Sequence, residues 1–533
     1  KKYEINERAK DLCLKEFELA PHQHFVKNFL SFQTPYNSVL LYHGLGTGKT
    51  CSAIGIAEEM RDYIKQIGTS QRIIVVASPN VQDNFKLQLF DESKLKIVNG
   101  LWNLQTCVGN KLLKEVNPLN QKGFPKSKIV SMIKTIINNS YVFMGYGEFA
   151  NTIERHSEIQ SVSVENREKL IKKKLNDFFN NRLIIIDEVH NIRISDDKKG
   201  KKIAEQIRKL VKNVENLRLL FLSATPLYNS YKEIVDLLNI MNMNDNRSTI
   251  SMKDIFDSEG NLVEGGKELL ERKANGYISF VKGDNPYSFP FRVWPYDFNP
   301  EKTLLDIPYP EYSLTGDKIG KKIKHLSLFI NELSGYQGLG YSYIINNLSS
   351  QSKGVIKNLD SLGYIELQKP LEALNIVYPN NNLAEEMLDA DIQVEDIVGK
   401  NGLFKTMDFK TTITPPFKGD FEYKSEILDT FGRIFSPENI STFSAKISAI
   451  TQNIMNSEGV CLIYTHYVDG GVVPIALALE ELGITRYGDT NSLFKKSPVL
   501  PLDLRDYTNN SNKDAIHAKY IAITGDRTIS PNN

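Results

Sequence analysis

The sequence predicts an α/β fold, parallel sheets flanked by helices, on three observations. Short, wholly apolar runs recur along the chain, at residues 39–42, 73–77, 141–144, 183–186 and 219–222. Strands buried on both faces look like this, because helices cover each face of a parallel sheet. Stretches of helical character separate the runs, the alternation that joins parallel strands through crossovers. Polar loops follow several runs directly, and open α/β sheets gather ligands at the carboxyl ends of their strands.

Taken in order, residues 9–17 are mixed, and an amphipathic helix is expected over 25–32. The run at 39–42 enters Gly44-Leu45-Gly46-Thr47-Gly48-Lys49-Thr50, and a helix is expected over 51–65. Strand, glycine loop, Lys-Thr and helix is the order a phosphate-binding loop requires. Glycines let the backbone approach an anion and aim N–H groups at it, and the helix N-terminus adds its positive dipole end. Lys49 is placed to reach β- and γ-phosphates, and the Thr50 hydroxyl to hold Mg²⁺. One departure stands out: the strict pattern has glycine where this chain has His43.

The runs at 73–77 and 141–144 end in Ser78-Pro79-Asn80 and in a loop over 145–148. Between them, residues 90–135 are rich in Lys and Asn and are expected to form surface helices. The run at 183–186 ends in Asp187-Glu188-Val189-His190. Two carboxylates at that end can face the phosphate loop, Asp187 holding Mg²⁺ and Glu188 orienting and deprotonating an attacking water. The run at 219–222 ends in Ser223-Ala224-Thr225-Pro226, whose hydroxyls can bond the acidic loop and report the nucleotide state. His190 can join that coupling. Lys198, Lys199, Lys201, Lys202, Arg208, Lys209 and Lys212 read first as a solvated helix face, as do Lys318, Lys321, Lys322 and Lys324.

Composition sets limits. A length of 533 residues predicts two or three domains, and 41% hydrophobic with 24% charged residues is an ordinary globular balance. A net charge of +1 means that any nucleic-acid contact must rest on locally arranged basic groups. Cys13, Cys51, Cys107 and Cys461 have no CxxC spacing, so neither a zinc site nor a disulfide framework is expected, and a reducing compartment fits. Cys51 reads as a small helix-packing residue. No apolar run is long enough to span a bilayer and no signal peptide is evident, so no membrane partner is expected.

Residues 43–50, then Asp187-Glu188-Val189-His190, then Ser223-Ala224-Thr225-Pro226 resemble motifs I, II and III of superfamily 2 helicases and translocases. The flanks Tyr36-Asn37-Ser38-Val39-Leu40-Leu41-Tyr42 and Pro226-Leu227-Tyr228-Asn229 are similar, more narrowly, to the helicase-like ATPases of large nucleocytoplasmic DNA viruses. That branch is related to the poxvirus early transcription factor small subunit and nucleoside triphosphate phosphohydrolase. The element Gly283-Asp284-Asn285-Pro286 through Arg292 resembles one that follows the first motor lobe in that branch. His43 fits too, since helicase-like loops often lack the first glycine.

The resemblance implies two RecA-like lobes, the first over 1–245 and the start of the second over 441–533, with a linker and α-rich insertion over 246–440. Strands at 460–464 and 520–526 and helices over 442–456 and 473–482 would belong to the second lobe, with Tyr464-Thr465-His466 and Gly470-Gly471 resembling motif IV. The glycine-rich motif V and arginine-bearing motif VI are not found, which suggests a fragment of a longer protein that hydrolyses ATP poorly by itself. ATP would lie on Gly44, Gly46, Thr47, Gly48, Lys49 and Thr50, with Gln23 on adenine. Lys49, Asp187 and Glu188 would be catalytic, Thr50 and Asp187 would hold Mg²⁺, and His190, Ser223 and Thr225 would couple the site to its surroundings. Ser78, Pro79 and Asn80 would meet nucleic acid, with the 145–148 loop beside them. The implied activity is that of a nucleic-acid-dependent DEVH-box ATPase that moves along or remodels DNA or RNA. The alternatives are a transcription-associated ATPase that acts on a polymerase–DNA complex without unwinding, and a P-loop enzyme acting on a small molecule. If viral, the protein is expected in the host cytoplasm, a viral factory or the virion.

Overall fold

A computed structural model describes residue 7 and residues 19–530, apart from 122, 160–163, 193–197, 228–230, 258–259, 284–292, 304–307, 313–317, 321–327, 334, 352–363, 385–391, 410–419, 489–491, 513 and 527–528. Expectations for residues 9–17, Tyr228-Asn229, 284–292 and Lys321, Lys322 and Lys324 therefore lie outside the described residues. The chain divides into two compact units, Lys1–Arg292 and Val293–Asn533.

In the first unit the apolar runs become strands. They are β1 (Ser38–His43), β2 (Ile73–Val76), β5 (Tyr141–Met144), β6 (Leu183–Ile186) and β7 (Arg218–Ser223). A sixth strand, β8 (Ile278–Val281), completes one parallel sheet in the order β5-β2-β6-β7-β1-β8. Every residue of β2 and β6 is buried. Val39 and Leu41 of β1 pack on one side with α1 (Pro21–Phe29), α2 (Lys49–Gln66), α3 (Pro79–Leu89), α4 (Lys111–Val116) and α5 (Lys126–Ser140). Leu40 points to the other side, with α6 (Tyr146–Ser157), α7 (Val164–Phe179), α8 (Lys198–Asn213) and α9 (Glu233–Asn244). The alternation of neighbouring β1 residues between two cores is the two-faced burial that its apolar run demands.

Three features of this unit depart from expectation. The unit runs past residue 245: α10 (Gly266–Ala274) leads into β8, which pairs with β1 instead of belonging to a linker. As an edge strand β8 leaves Phe280 63% exposed, so its sequence lacks the apolar run of a central strand. The stretch expected to be helical between β2 and β5 also holds an antiparallel hairpin, β3 (Leu95–Val98) with β4 (Leu101–Leu104), turned through Asn99 and Gly100 at positive φ. Cys51 is disulfide-bonded to Cys107, against the expectation of no cross-link: α2 packs beside the loop that follows β4 and brings their Cα atoms to 5.2 Å.

The second unit is mainly helical among its described residues. It contains α11 (Gly335–Gln351), α12 (Tyr364–Ala373), α13 (Gly399–Thr406), α14 (Ser425–Phe431), α15 (Ile440–Phe443), α16 (Ala445–Met455) and α17 (Val473–Glu481). Tyr378, Leu403, Phe435, Ile447 and Leu477 share its main core. The helix expected over 442–456 is split at Ser444, whose hydroxyl accepts the Ile447 N–H and caps α16. The strand expected at 460–464 is irregular, with Val460 and Leu462 almost fully exposed, and of 520–526 only Tyr520 is in a strand. An apolar pattern becomes a strand only where a partner supplies the ladder, and each described ladder in this unit has two strands. Among the described residues no helix is long and apolar enough to cross a membrane.

Behind the sheet, α2 is tied to α4 and β5 by a buried ionic cluster. Arg61 donates to Glu58 and Glu115, Lys111 lies 3.2 Å from Glu58, and the Tyr141 hydroxyl donates to Glu58 at 2.6 Å. Burial opposes the charge on Glu58, but its cationic and hydrogen-bonding partners hold its carboxyl below the usual range. Removing one partner strands the other, so Glu58→Ala should cost about 3 kcal/mol in urea unfolding. Lys65→Ala, at the exposed edge of the cluster, should cost less than about 1 kcal/mol.

Candidate nucleotide site

The phosphate loop joins β1 to α2. Gly46 and Gly48 have φ of 75° and 76°, the left-handed region that favours glycine, and a Cβ on Gly48 would lie 2.5 Å from Gln23 Nε2. The 18-residue α2 begins at Lys49, and Gly48 gives it no side-chain cap. Its first N–H groups thus keep the positive end of a long helix open towards the loop. Thr47 Oγ1 donates to Gly44 O at 2.8 Å, and Lys49 Nζ donates to His43 O at 3.0 Å. Burial lowers the Lys49 pKa, and the charges of Glu188 and Asp187 counteract it. The phosphate-loop lysine and the acidic loop therefore feel each other.

Residues of α1 brace the loop. His22 Nε2 donates to Thr47 O at 2.9 Å, and Gln23 Nε2 donates to Gly48 O at 3.0 Å. Gln23 Oε1 meanwhile accepts from Ala20 N at 2.8 Å. An amide offers two donors and two lone pairs, so one of each stays available. His43 is fully buried at the end of β1, and burial, then His22 and Lys49, push its pKa down to about 4. Its ring is neutral at physiological pH.

The acidic loop starts where β6 ends. Asp187 is buried and its carboxyl is pushed up to about 6, first by burial and further by Glu188, against the Glu188 N–H donated at 2.8 Å and the Lys49 charge. Glu188 has φ of 45°, uncommon for a residue with a Cβ. Its carboxylate lies 3.4 Å from His190 Nδ1, which lies 3.2 Å from Ser223 Oγ, and Thr225 N donates to that same oxygen at 3.0 Å. His190, Ser223 and Thr225 are thus linked in one chain of contacts to Glu188. Two further residues hold this loop: Tyr146 OH donates to Asp187 O at 2.8 Å, and Asn191 Nδ2 donates to Tyr146 OH and to Glu188 O. Tyr146 lies within the 145–148 segment singled out after β5, where the structure starts α6, and that was the one available signal.

Ser78 stands at the N-cap position of α3, beyond the end of β2, without a side-chain capping bond, and Pro79 and Asn80 lie exposed in the first turn. They share the sheet's carboxyl edge with the loops above. No described hydrogen bond joins their side chains to those loops. Among the described residues no group of three or more His, Cys, Asp or Glu is arranged to hold a metal. Thr50 and Asp187 offer one hydroxyl and one carboxylate, a set that suits Mg²⁺, which commonly keeps waters and phosphate oxygens as its other ligands.

Residues 16–227 match the family described as "Type III restriction enzyme, res subunit". The chain is 27% identical over 511 residues to a "Putative ATP-dependent RNA helicase" of Acanthamoeba polyphaga mimivirus, covering 92% of this chain and 38% of that protein. The chain is also 26% identical over 275 residues to a "Putative helicase" of Invertebrate iridescent virus 3, covering 50% of this chain and 23% of that protein. The chain is thus similar to proteins of large DNA viruses named as helicases. An "Early transcription factor large subunit homolog" of African swine fever virus is 26% identical over 355 residues, covering 56% of this chain and 31% of that protein. The chain thus spans about two fifths or less of the length of each of these three relatives.

The buried carboxyl makes a sign-definite prediction. Folding raises the Asp187 pKa from 3.8 to about 6, so the unfolded chain loses this proton first and stability falls as pH rises between those values. Without divalent cations, Asp187→Asn should raise stability at pH 7.5 by about 2–3 kcal/mol. Denaturation below about pH 4 should show that difference gone.

Proposed function

We propose that this chain is the ATP-binding part of a nucleic-acid-dependent ATPase, a DEVH-box superfamily 2 helicase or translocase that moves along or remodels DNA or RNA. The observation that carries it is the convergence of Lys49, Asp187, Glu188 and Ser223 on one carboxyl edge of a parallel sheet, with Lys49 electrostatically coupled to both carboxylates. ATP would lie on Gly44, Gly46, Thr47, Gly48, Lys49 and Thr50, its phosphates facing the uncapped N–H groups of α2. The free donor and lone pair of Gln23 suit an adenine edge. Thr50 and Asp187 would hold Mg²⁺, which when bound would neutralise charge on the β- and γ-phosphates.

Lys49 would exchange its carbonyl partners for phosphate oxygens and stabilise negative charge on the transferring group. Glu188, fixed by the hydrogen bond from its own N–H and by its contact with His190, would take a proton from a water aligned with the γ-phosphorus. As that water's oxygen bonds to phosphorus, the bond from phosphorus to the bridging oxygen breaks and ADP leaves. Loss of the γ-phosphate would change the demand on Glu188. The contacts from Glu188 through His190 to Ser223 and Thr225 give that change a physical route to the neighbouring strand. Pro79, Asn80 and the start of α6 lie exposed on the same edge, where phosphate-backbone contacts would be made.

A second reading is supported by the relative named as an early transcription factor subunit: ATP use could remodel a transcription complex without separating strands. The localisation would then follow viral transcription, in a cytoplasmic factory or the virion.

Lys49→Ala should reduce MgATP affinity or turnover by more than about 100-fold, and undiminished turnover would end the assignment. Glu188→Gln should bind MgATP like the parent and lose turnover by about 100-fold or more. Turnover measured with single-stranded and duplex DNA or RNA, beside a strand-displacement assay, separates the two readings. Stimulation with displacement supports the helicase, stimulation by duplex without displacement supports the remodelling factor, and indifference to every nucleic acid contradicts both.

A further inference from the structure

We propose that β8 shapes the phosphate loop, with Ser279 and Gly283 acting as positioning residues for the nucleotide. The inference rests on the nucleotide reading of Gly44 to Thr50 and adds residues outside the three motifs. β8 is the last strand of the first unit and pairs in parallel with β1, Tyr42 opposite Phe280 and His43 opposite Val281. Contact continues beyond the ladder: Gly44 N donates to Val281 O at 2.9 Å, drawing the first glycine of the loop into the β8 register.

Backbone then packs on backbone. A Cβ on Gly44 would lie 2.3 Å from Gly283 N and 2.4 Å from Gly283 Cα. A Cβ on Gly283 would lie 3.0 Å from Gly44 Cα, Leu45 N and Leu45 O. Neither glycine has a left-handed φ, so close approach, and not conformational freedom, is what requires glycine at both positions. No flexible side chain at this contact can move aside, so bulk added at Gly283 is transmitted to the loop.

His43 supplies the second tie. Its Nε2 lies 2.9 Å from Ser279 Oγ, while its Nδ1, fully buried, has no hydrogen-bond partner among the described residues. Among the described residues the Ser279 bond is thus the ring's one hydrogen bond, and it crosses from the loop entrance to β8. Where the strict loop pattern has a glycine with no side chain, this chain has one that reaches its neighbouring strand. The carbonyls that accept from Lys49 Nζ belong to His43 and Gly44, the two residues β8 holds. Moving them moves the resting place of the lysine.

An edge strand can also matter only for stability, and the test separates the two roles. Fluorescent ADP is titrated with Mg²⁺ into the whole chain, with thermal unfolding measured on each variant. Ser279→Ala should raise Kd about three- to tenfold, the loss of roughly one hydrogen bond's orientation. Ser279→Thr, which keeps the hydroxyl, should stay within about twofold of the parent. Gly283→Ala should raise Kd about tenfold or more, because sub-ångström misplacement is costly at such sites. Phe280→Ala, an exposed side chain on the same strand, should leave Kd unchanged. Parental Kd in folded Ser279→Ala and Gly283→Ala overturns the proposal, as does an equal loss in Phe280→Ala. If Gly283→Ala fails to fold, the Ser279→Ala and Ser279→Thr pair decides. A parent chain that binds no nucleotide, or a Lys49→Ala variant that binds like the parent, would instead mean that the nucleotide reading itself has failed.

Discussion

The parallel pairing of β6, β7 and β1 is the constraint on which the rest of the site depends. Ile186 lies opposite Phe221 and Tyr42 opposite Ser223, so the phosphate loop, the acidic loop and the Ser-Ala-Thr loop leave the sheet at one edge. These loops are distant in sequence, and nothing local would bring them together. The ladder does so because the strands are apolar on both faces and are sealed between two helical layers. A slip of one residue would turn each strand's core residues to the opposite face, so burial fixes the register and the register fixes the chemistry.

Electrostatics at that edge follows from burial. Asp187 is withdrawn from water, and that burial raises its pKa more than the Glu188 N–H and the Lys49 charge lower it. Lys49 is pulled the other way by the same desolvation and supported by the two carboxylates. His43, held neutral, adds no charge of its own to the glycine-rich loop. Under the proposed function, a bound cation would offset the desolvation of Asp187.

The sequence was most legible where one physical requirement dominated. β2 and β6 could be read because double-sided burial demands uninterrupted aliphatics, and the glycine loop because close backbone approach to an anion calls for glycine, to which the structure adds left-handed backbone at Gly46 and Gly48. β8 escaped notice because an edge strand needs apolar residues on fewer sides, and its role beside the loop arises from a three-dimensional approach of Gly44 to Gly283 that no spacing encodes. The bond from Tyr146, a residue of the 145–148 segment, to the acidic loop was missed for the same reason, as were Asn191 and the Cys51–Cys107 pair, which depends on how α2 lies against the loop after β4. In the second unit the apolar pattern of residues 460–464 overstated the structure, because pattern alone does not supply a pairing partner.

The central claim is that one magnesium–nucleotide complex joins Thr50 and Lys49 to Asp187. Electron paramagnetic resonance of Mn²⁺, standing in for Mg²⁺, tests it most directly. Mn²⁺ should bind tightly only together with ATP, since the chain itself offers one hydroxyl and one carboxylate, and Asp187→Asn should abolish that binding. Tight Mn²⁺ binding without nucleotide, or undiminished binding in Asp187→Asn, would contradict the account.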